Sequence, residues 1–199
     1  MINYTEEQTK IIDSIPEYNI IVDSVPGSGK TTTIVGILNK YREDRILVLV
    51  YNSRLKMETR EKNKNSNADI HTYHSLGYSM NRKTIDDVTL EELLVTKFHR
   101  KFNYRYIIVD EVQDMTNLYF KLVNFVITNN ETEFSLCVIG DQNQCIYKLK
   151  YADERYLTKA NKIYPKTEKK WMRLKLSISF RLTNETTDLV NNIIGSNLI

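Results

Sequence analysis

Four short runs of apolar, largely β-branched residues punctuate the chain: Asn19-Ile20-Ile21-Val22-Asp23, Arg45-Ile46-Leu47-Val48-Leu49-Val50-Tyr51, Tyr106-Ile107-Ile108-Val109-Asp110 and Ser135-Leu136-Cys137-Val138-Ile139-Gly140. Runs of this length with no polar alternate are strands covered on both faces. Between them apolar residues recur three and four apart, which predicts helices over 31–41, 90–101 and 118–128. Strand and helix in alternation predict a parallel sheet covered by helices, in which ligands sit at the carboxyl ends of the strands. A weaker run, Arg173 to Phe180, alternates with period two and predicts one more strand, with a helix from Asn184 to Ile194 after it. The chain then stops at Asn197-Leu198-Ile199 without a polar tail, which reads as an interruption.

Composition narrows the class without naming a function. With 199 residues, 41% of them hydrophobic and 27% charged, the chain can bury a core without disulfides or a structural metal. The net charge of +3 permits a nucleic-acid surface and does not demand one. Two cysteines, Cys137 and Cys145, exclude a disulfide framework and a four-cysteine zinc site. No apolar run approaches the ~18 residues of a membrane span. The start, Met1-Ile2-Asn3-Tyr4-Thr5-Glu6-Glu7, lacks the basic and apolar parts of a signal peptide. The expectation is a soluble intracellular protein with no membrane partner.

The first strand runs into Ser24-Val25-Pro26-Gly27-Ser28-Gly29-Lys30-Thr31-Thr32 and then a helix, the order of a phosphate-binding P-loop. Gly27 and Gly29 let the backbone approach a phosphate, and the helix N-terminus adds partial positive charge. Lys30 would reach the β- and γ-phosphates, and the Thr31 hydroxyl would ligate Mg²⁺. Ser24 stands where the general pattern has its first Gly.

Two further strands end in polar clusters. Asp110-Glu111-Val112-Gln113-Asp114 leaves the third strand, and a carboxylate pair there is costly unless it meets a cation. Asp110 is placed to hold Mg²⁺ through water and Glu111 to orient and deprotonate an attacking water. The fourth strand ends Gly140-Asp141-Gln142-Asn143-Gln144, where Gln144 can sense a γ-phosphate because its amide both donates and accepts. Asp141 reads equally as the cap of a short helix, and the two roles are compatible.

These motifs, in this order, resemble the UvrD/Rep/PcrA group of superfamily 1 DNA helicases, in style the F-box DNA helicase branch. Gln8 matches the family's adenine-reading glutamine, and the P-loop matches its motif I. Tyr51-Asn52-Ser53 resembles motif Ia, and Thr72-Tyr73-His74-Ser75-Leu76 resembles motif Ib. Asp110 to Asp114 matches motif II, and Gly140-Asp141 with Gln144-Cys145-Ile146-Tyr147 matches motif III. Ser179-Phe180-Arg181 resembles motif IV, whose arginine contacts the γ-phosphate and whose aromatic stacks on adenine.

The resemblance implies a RecA-like P-loop NTPase fold, a three-layer sandwich with a mostly parallel sheet. It implies a first lobe over 1–172 and the start of an incomplete second lobe over 173–199. The implied nucleotide site is Gln8, Pro26, Gly27, Ser28, Gly29, Lys30, Thr31, Thr32, Phe180 and Arg181, with Lys30, Glu111, Gln144 and Arg181 catalytic. Thr31 and Asp110 would hold the metal, and Asn52, Thr72, His74 and Tyr147 would contact DNA. The implied activity is Mg²⁺-dependent ATP hydrolysis coupled to translocation on single-stranded DNA and unwinding at a single/double-strand junction.

The departures shape the expectation. Leu149 replaces the family's base-stacking tryptophan, and Lys150 and Tyr151 stand where Arg and Gly are usual. Tyr147 is open to two readings, a base-stacking ring or a buried tyrosine. Only Asn81 to Tyr104 separates motifs Ib and II, room for one helix. Motifs V and VI, with a second γ-phosphate arginine, have no counterpart in these 199 residues. A separately encoded or downstream second RecA-like lobe is therefore expected as partner, and the chain alone is expected to bind nucleotide and hydrolyse it slowly.

Other features are open or bland. Lys97 to Arg105 and Lys166 to Lys175 interleave basic and aromatic residues, which suits a single strand or a solvated face over core rings. His71 and His74 have no third metal ligand nearby, and Arg54 to Asn67 reads as a solvated helix and loop. A non-motor nucleotide-dependent binding module or degenerate helicase fragment is the alternative function. A small-molecule kinase is disfavoured, because the segments at 110–114 and 144–147 are helicase-like.

Overall fold

The computed structural model describes residues 3–83, 85–96, 99–144, 152–165 and 167–181. The expectations for Cys145, Tyr147, Leu149, Lys150, Tyr151 and the helix at 184–194 lie outside them. Along the chain come α1 (Glu6–Ser14), β1 (Asn19–Ser24), α2 (Lys30–Lys40), β2 (Ile46–Val50), α3 (Ser53–Lys62), β3 (Ala68–Thr72), α4 (Tyr73–Asn81) and α5 (Asp87–Val95). They are followed by β4 (Tyr106–Val109), α6 (Asn117–Thr128), β5 (Ser135–Gly140), α7 (Arg155–Thr158), α8 (Ala160–Ile163) and β6 (Trp171–Leu176). Two 3-10 turns, Val112–Asp114 and Gln142–Gln144, follow β4 and β5.

All six strands are parallel, in the order β3-β2-β4-β5-β1-β6. Because successive side chains point to opposite faces, each apolar run feeds two cores. Ile20, Val22, Ile46, Val48, Val50, Ile108, Cys137 and Ile139 pack under α1 and α2 with Ile11, Ile15, Ile34 and Ile37. Their alternates Ile21, Leu47, Leu49, Ile107, Val109, Leu136 and Val138 pack under α4 to α8 with Tyr73, Leu76, Leu90, Leu122 and Val126. The predicted α/β sandwich is therefore the observed one. No helix among the described residues is long and apolar enough to cross a membrane.

Three elements differ from expectation for identifiable reasons. β3 was not predicted, since this edge strand buries only Ile70 fully and shows no apolar run. α5 lies at Asp87–Val95 rather than 90–101: Asp86 and Thr89 form a capping box that starts it early, and it ends before the Phe102–Asn130 bridge. The boundary expected between 172 and 173 falls inside a strand. β6 crosses it and pairs with β1 from Asn19↔Trp171 to Ser24↔Leu176, so residues 173–176 belong to the first sheet.

A polar clamp fastens the amino ends of the central strands. Asn19, fully buried, accepts from Leu136 N (2.8 Å) and donates to Lys169 O (3.0 Å) and to the Thr167 hydroxyl. Lys169, also nearly buried, donates to Pro16 O (2.7 Å) and Ser135 Oγ (2.9 Å). Cutting the Asn19 side chain leaves the Leu136 N–H buried without a partner, a cost of about 1–3 kcal/mol. Asn19→Ala is therefore expected to lower the unfolding free energy by about 2 kcal/mol in urea denaturation. An unchanged urea midpoint would contradict this role for the clamp.

Candidate functional site

The carboxyl ends of β1, β4 and β5 lie at one sheet edge because Val22 pairs with Ile139 and Val109 with Val138. The loop between β1 and α2 turns there through Gly27 (φ +70°) and Gly29 (φ +83°), left-handed values that glycine adopts without strain. α2 starts at Lys30, so the first N–H groups of the helix face outward at the loop. Ser24 has a structural use: its buried hydroxyl donates to Gly140 O (2.7 Å) and ties the end of β1 to that of β5.

A cleft of about 330 Å³ opens over this loop. It is lined by Pro26, Gly27, Ser28, Gly29, Lys30, Thr31 and Thr32, together with Leu55 and Glu58 of α3, Glu111, Gln144, Phe180 and Arg181. Lys30 Nζ lies 3.3 Å from Glu111 Oε2. Glu111 holds a left-handed backbone (φ +51°), an outlier of the kind that gathers at working sites. Asp110, 2% exposed, accepts from Glu111 N at 2.9 Å. Burial, reinforced by Glu111 and opposed by Lys30, pushes the Asp110 carboxyl up to about 7. Asp114 is pushed up to about 6, by burial first and then by Glu111. These carboxylates want more positive charge than Lys30 alone supplies, so the donor set of Asp110 and the Thr31 hydroxyl fits a divalent cation.

The 3-10 turn after β5 reaches the same cleft. Asp141 Oδ1 accepts from Asn143 N (2.9 Å) as a cap, while Gln144 lines the cleft. The segment after β6 is laid across the phosphate loop: Ser179 Oγ donates to Pro26 O (2.8 Å) and Phe180 N to Gly27 O (3.0 Å). Ser177 donates from N and Oγ to the Glu7 carboxylate, at 2.7 and 2.6 Å. A Cβ at Gly29 would stand 2.6 Å from Gln8 Nε2 and 3.6 Å from the Phe180 ring, so Gln8, Gly29 and Phe180 converge. Gln8 Oε1 closes the α1 capping box on Thr5 N (3.0 Å), which fixes how the amide is presented.

Of the residues expected at DNA, the described ones, Asn52, Thr72 and His74, do not line the cleft. Asn52 caps α3 by accepting from Leu55 N (3.0 Å), and Thr72 caps α4 by accepting from Ser75 N (3.2 Å). His74 Nε2 meets Asp87 Oδ1 at 2.8 Å, and Lys56 Nζ bridges to Ser75 Oγ at 2.9 Å. Burial, then Lys56, lowers His71 to about 4, so it is neutral near pH 7. No metal-holding group of three ligands occurs among the described residues. Phe102 and Tyr104 are core rings, which removes them from the basic-aromatic cluster as base platforms, and Trp171 packs partly buried against the same core.

Leu55, Glu58, Glu7 and Gln113 were not singled out from sequence. Leu55 and Glu58 carried one usable signal, their i, i+3 spacing on a helix leaving a strand that ends at the same edge.

A profile of the AAA_19 family, described as an AAA domain, matches residues 8–150. The chain is 32% identical over 94 residues to a probable DNA helicase II homolog of Mycoplasma capricolum, covering 47% of this chain and 12% of that protein. It is 25% identical over 132 residues to the ATP-dependent DNA helicase Rep of Buchnera aphidicola, covering 63% and 19% respectively. The fold is similar to that of the Pif1 helicase from Candida albicans, with a TM-score of 0.62, 17% identity and coverage of 97% of this chain and 44% of that one. Pif1 from a Bacteroides species, solved with ADP-AlF4, gives a TM-score of 0.56 at 17% identity, covering 98% of this chain and 46% of that one. The chain spans under a fifth of these two sequence relatives and under half of these solved structures. The six-stranded parallel sheet thus has the RecA-like fold, and the chain belongs to the AAA_19 family of AAA domains.

Proposed function

We propose that this chain binds ATP with Mg²⁺ and hydrolyses it as the first RecA-like lobe of a superfamily 1 DNA helicase. The observation that carries the reading is the Lys30–Glu111 pair facing Gln144 and Arg181 across one cleft above a P-loop. Lys30 exchanges the Glu111 carboxylate for the β- and γ-phosphate oxygens when nucleotide enters. Glu111, released from that pair, accepts a proton from the water whose oxygen attacks the γ-phosphorus, and the bond to the β-phosphate oxygen breaks to leave ADP. Gln144 donates to the γ-phosphate and accepts from the water, and Arg181 stabilises charge on the phosphoryl oxygens. Thr31 and Asp110 would hold Mg²⁺, which supplies charge neutralisation across the phosphates. Gln8 and Phe180 hold the adenine by its edge and its face.

Translocation on single-stranded DNA and unwinding at a junction belong to the same proposal. They need a second RecA-like lobe, downstream or separately encoded, that closes on the nucleotide. Asn52, Thr72, His74 and Tyr147 are the proposed DNA contacts. Support comes from the relatives' names as ATP-dependent DNA helicases and from a Bacteroides Pif1 described as bound to ssDNA.

Steady-state hydrolysis with and without single-stranded DNA tests the reading. Lys30→Ala is expected to abolish ATP binding, and Glu111→Gln to keep binding while turnover falls about 10²–10⁴-fold. Binding without any turnover by the parent chain would favour a nucleotide-dependent binding module. Phe180→Ala is expected to weaken ATP about fivefold, by the loss of roughly 1 kcal/mol of stacking, and to leave inorganic triphosphate binding unchanged. Equal weakening of both ligands in fluorescence titration would remove Phe180 from the adenine site.

A further inference from the structure

Gln113 is 1% exposed and lies between the two polar ends of the site. Its Nε2 donates to Glu111 Oε2 at 2.8 Å, and its Oε1 accepts from Asp141 N at 3.0 Å. The orientation of the amide follows from chemistry: a backbone N–H only donates, so the oxygen must face Asp141 and the NH2 group must face Glu111. A second, longer contact runs from Nε2 to Asp114 Oδ2 at 3.4 Å. Beyond Asp141 the chain continues to the proposed sensor, since Gln144 N donates to Asp141 O at 3.1 Å. The fit is tight, because a Cβ at Gly140 would stand 2.5 Å from Gln113 Oε1.

We propose that Gln113 is a positioning residue that ties the orientation of the Glu111 carboxylate to the turn carrying Gln144. Glu111 sits in a left-handed backbone, and Lys30 and Gln113 both hold it through the same oxygen, Oε2. When phosphate takes Lys30, the Gln113 amide keeps one carboxylate oxygen fixed and leaves the other for the water proton. Any shift of the Gln142–Gln144 turn in response to the γ-phosphate moves the Asp141 amide and, through one rigid side chain, Glu111. A single planar amide thus links phosphate sensing to base placement. The kinetic arm of this proposal rests on the ATPase reading above, and the linkage itself does not.

The test uses Gln113→Ala and Gln113→Met, the second keeping the buried volume so that the fold is preserved. In hydrolysis assays Gln113→Met is expected to lower kcat about 10–100-fold, the scale of a small misplacement of a catalytic group. The Kd for Mg·ADP is expected to stay within about threefold. Combined with Glu111→Gln it should cost no more than Glu111→Gln alone, because both act through one carboxylate. In ¹H–¹⁵N spectra the Asp141 amide resonance should move on Glu111→Gln in the parent chain and stay still in the Gln113→Met background. Additive kinetic losses, an unchanged kcat, or an Asp141 resonance blind to Glu111→Gln would each overturn the proposal. A parent chain that binds nucleotide without turning it over would refute the hydrolytic reading, and the Asp141 resonance would still decide the linkage.

Discussion

The site depends on parallel pairing. Because β4, β5 and β1 run the same way and in register, their three carboxyl ends open together, and each returns to the far side of the sheet through helices. One edge therefore collects a glycine loop, a carboxylate pair and a polar turn that lie far apart in sequence. The Ser24–Gly140 bond at the top and the Asn19 clamp at the bottom hold β1 against β5, so the loop and the turn keep a fixed spacing.

Electrostatics sets the character of that edge, where buried carboxyl groups gather around one lysine. Asp110 is buried, Asp114 nearly so, and Glu111 and Glu58 face the same cleft with Lys30. Burial raises the carboxyl groups of Asp110, Asp114 and Asp141 alike. A core protein would replace such groups by apolar ones, since buried carboxylates with one cationic partner weaken the fold. Their presence beside a phosphate loop is the physical basis of the proposed function.

Much of this was legible in the sequence, and the failures have physical causes. β1, β2, β4 and β5 are covered on both faces, so their side chains had to be continuously apolar and were conspicuous. The loop at 24–32 and the cluster at 110–114 declared themselves because backbone curvature and phosphate chemistry restrict the residue types there. β3 sits at a sheet edge and buries only Ile70 fully, which leaves too little apolar signal. By contrast β6, at the other edge, alternates exposed and buried residues and was legible as a strand. The same half-exposed alternation made residues from 173 onward look like the opening of another unit, when pairing with β1 makes β6 the sixth strand. Gln113 was silent for another reason: its importance lies in which distant residue it faces, and only the folded sheet specifies that.

The central claim is that Lys30 is held by Glu111 until a nucleotide phosphate replaces that partner. A crystal structure of the chain with Mg²⁺ and a non-hydrolysable ATP analogue tests it most directly. The account predicts Lys30 Nζ on phosphate oxygens, Glu111 still held by the Gln113 amide, and the base against Phe180. Lys30 still paired with Glu111 while the analogue binds elsewhere, or not at all, would contradict it.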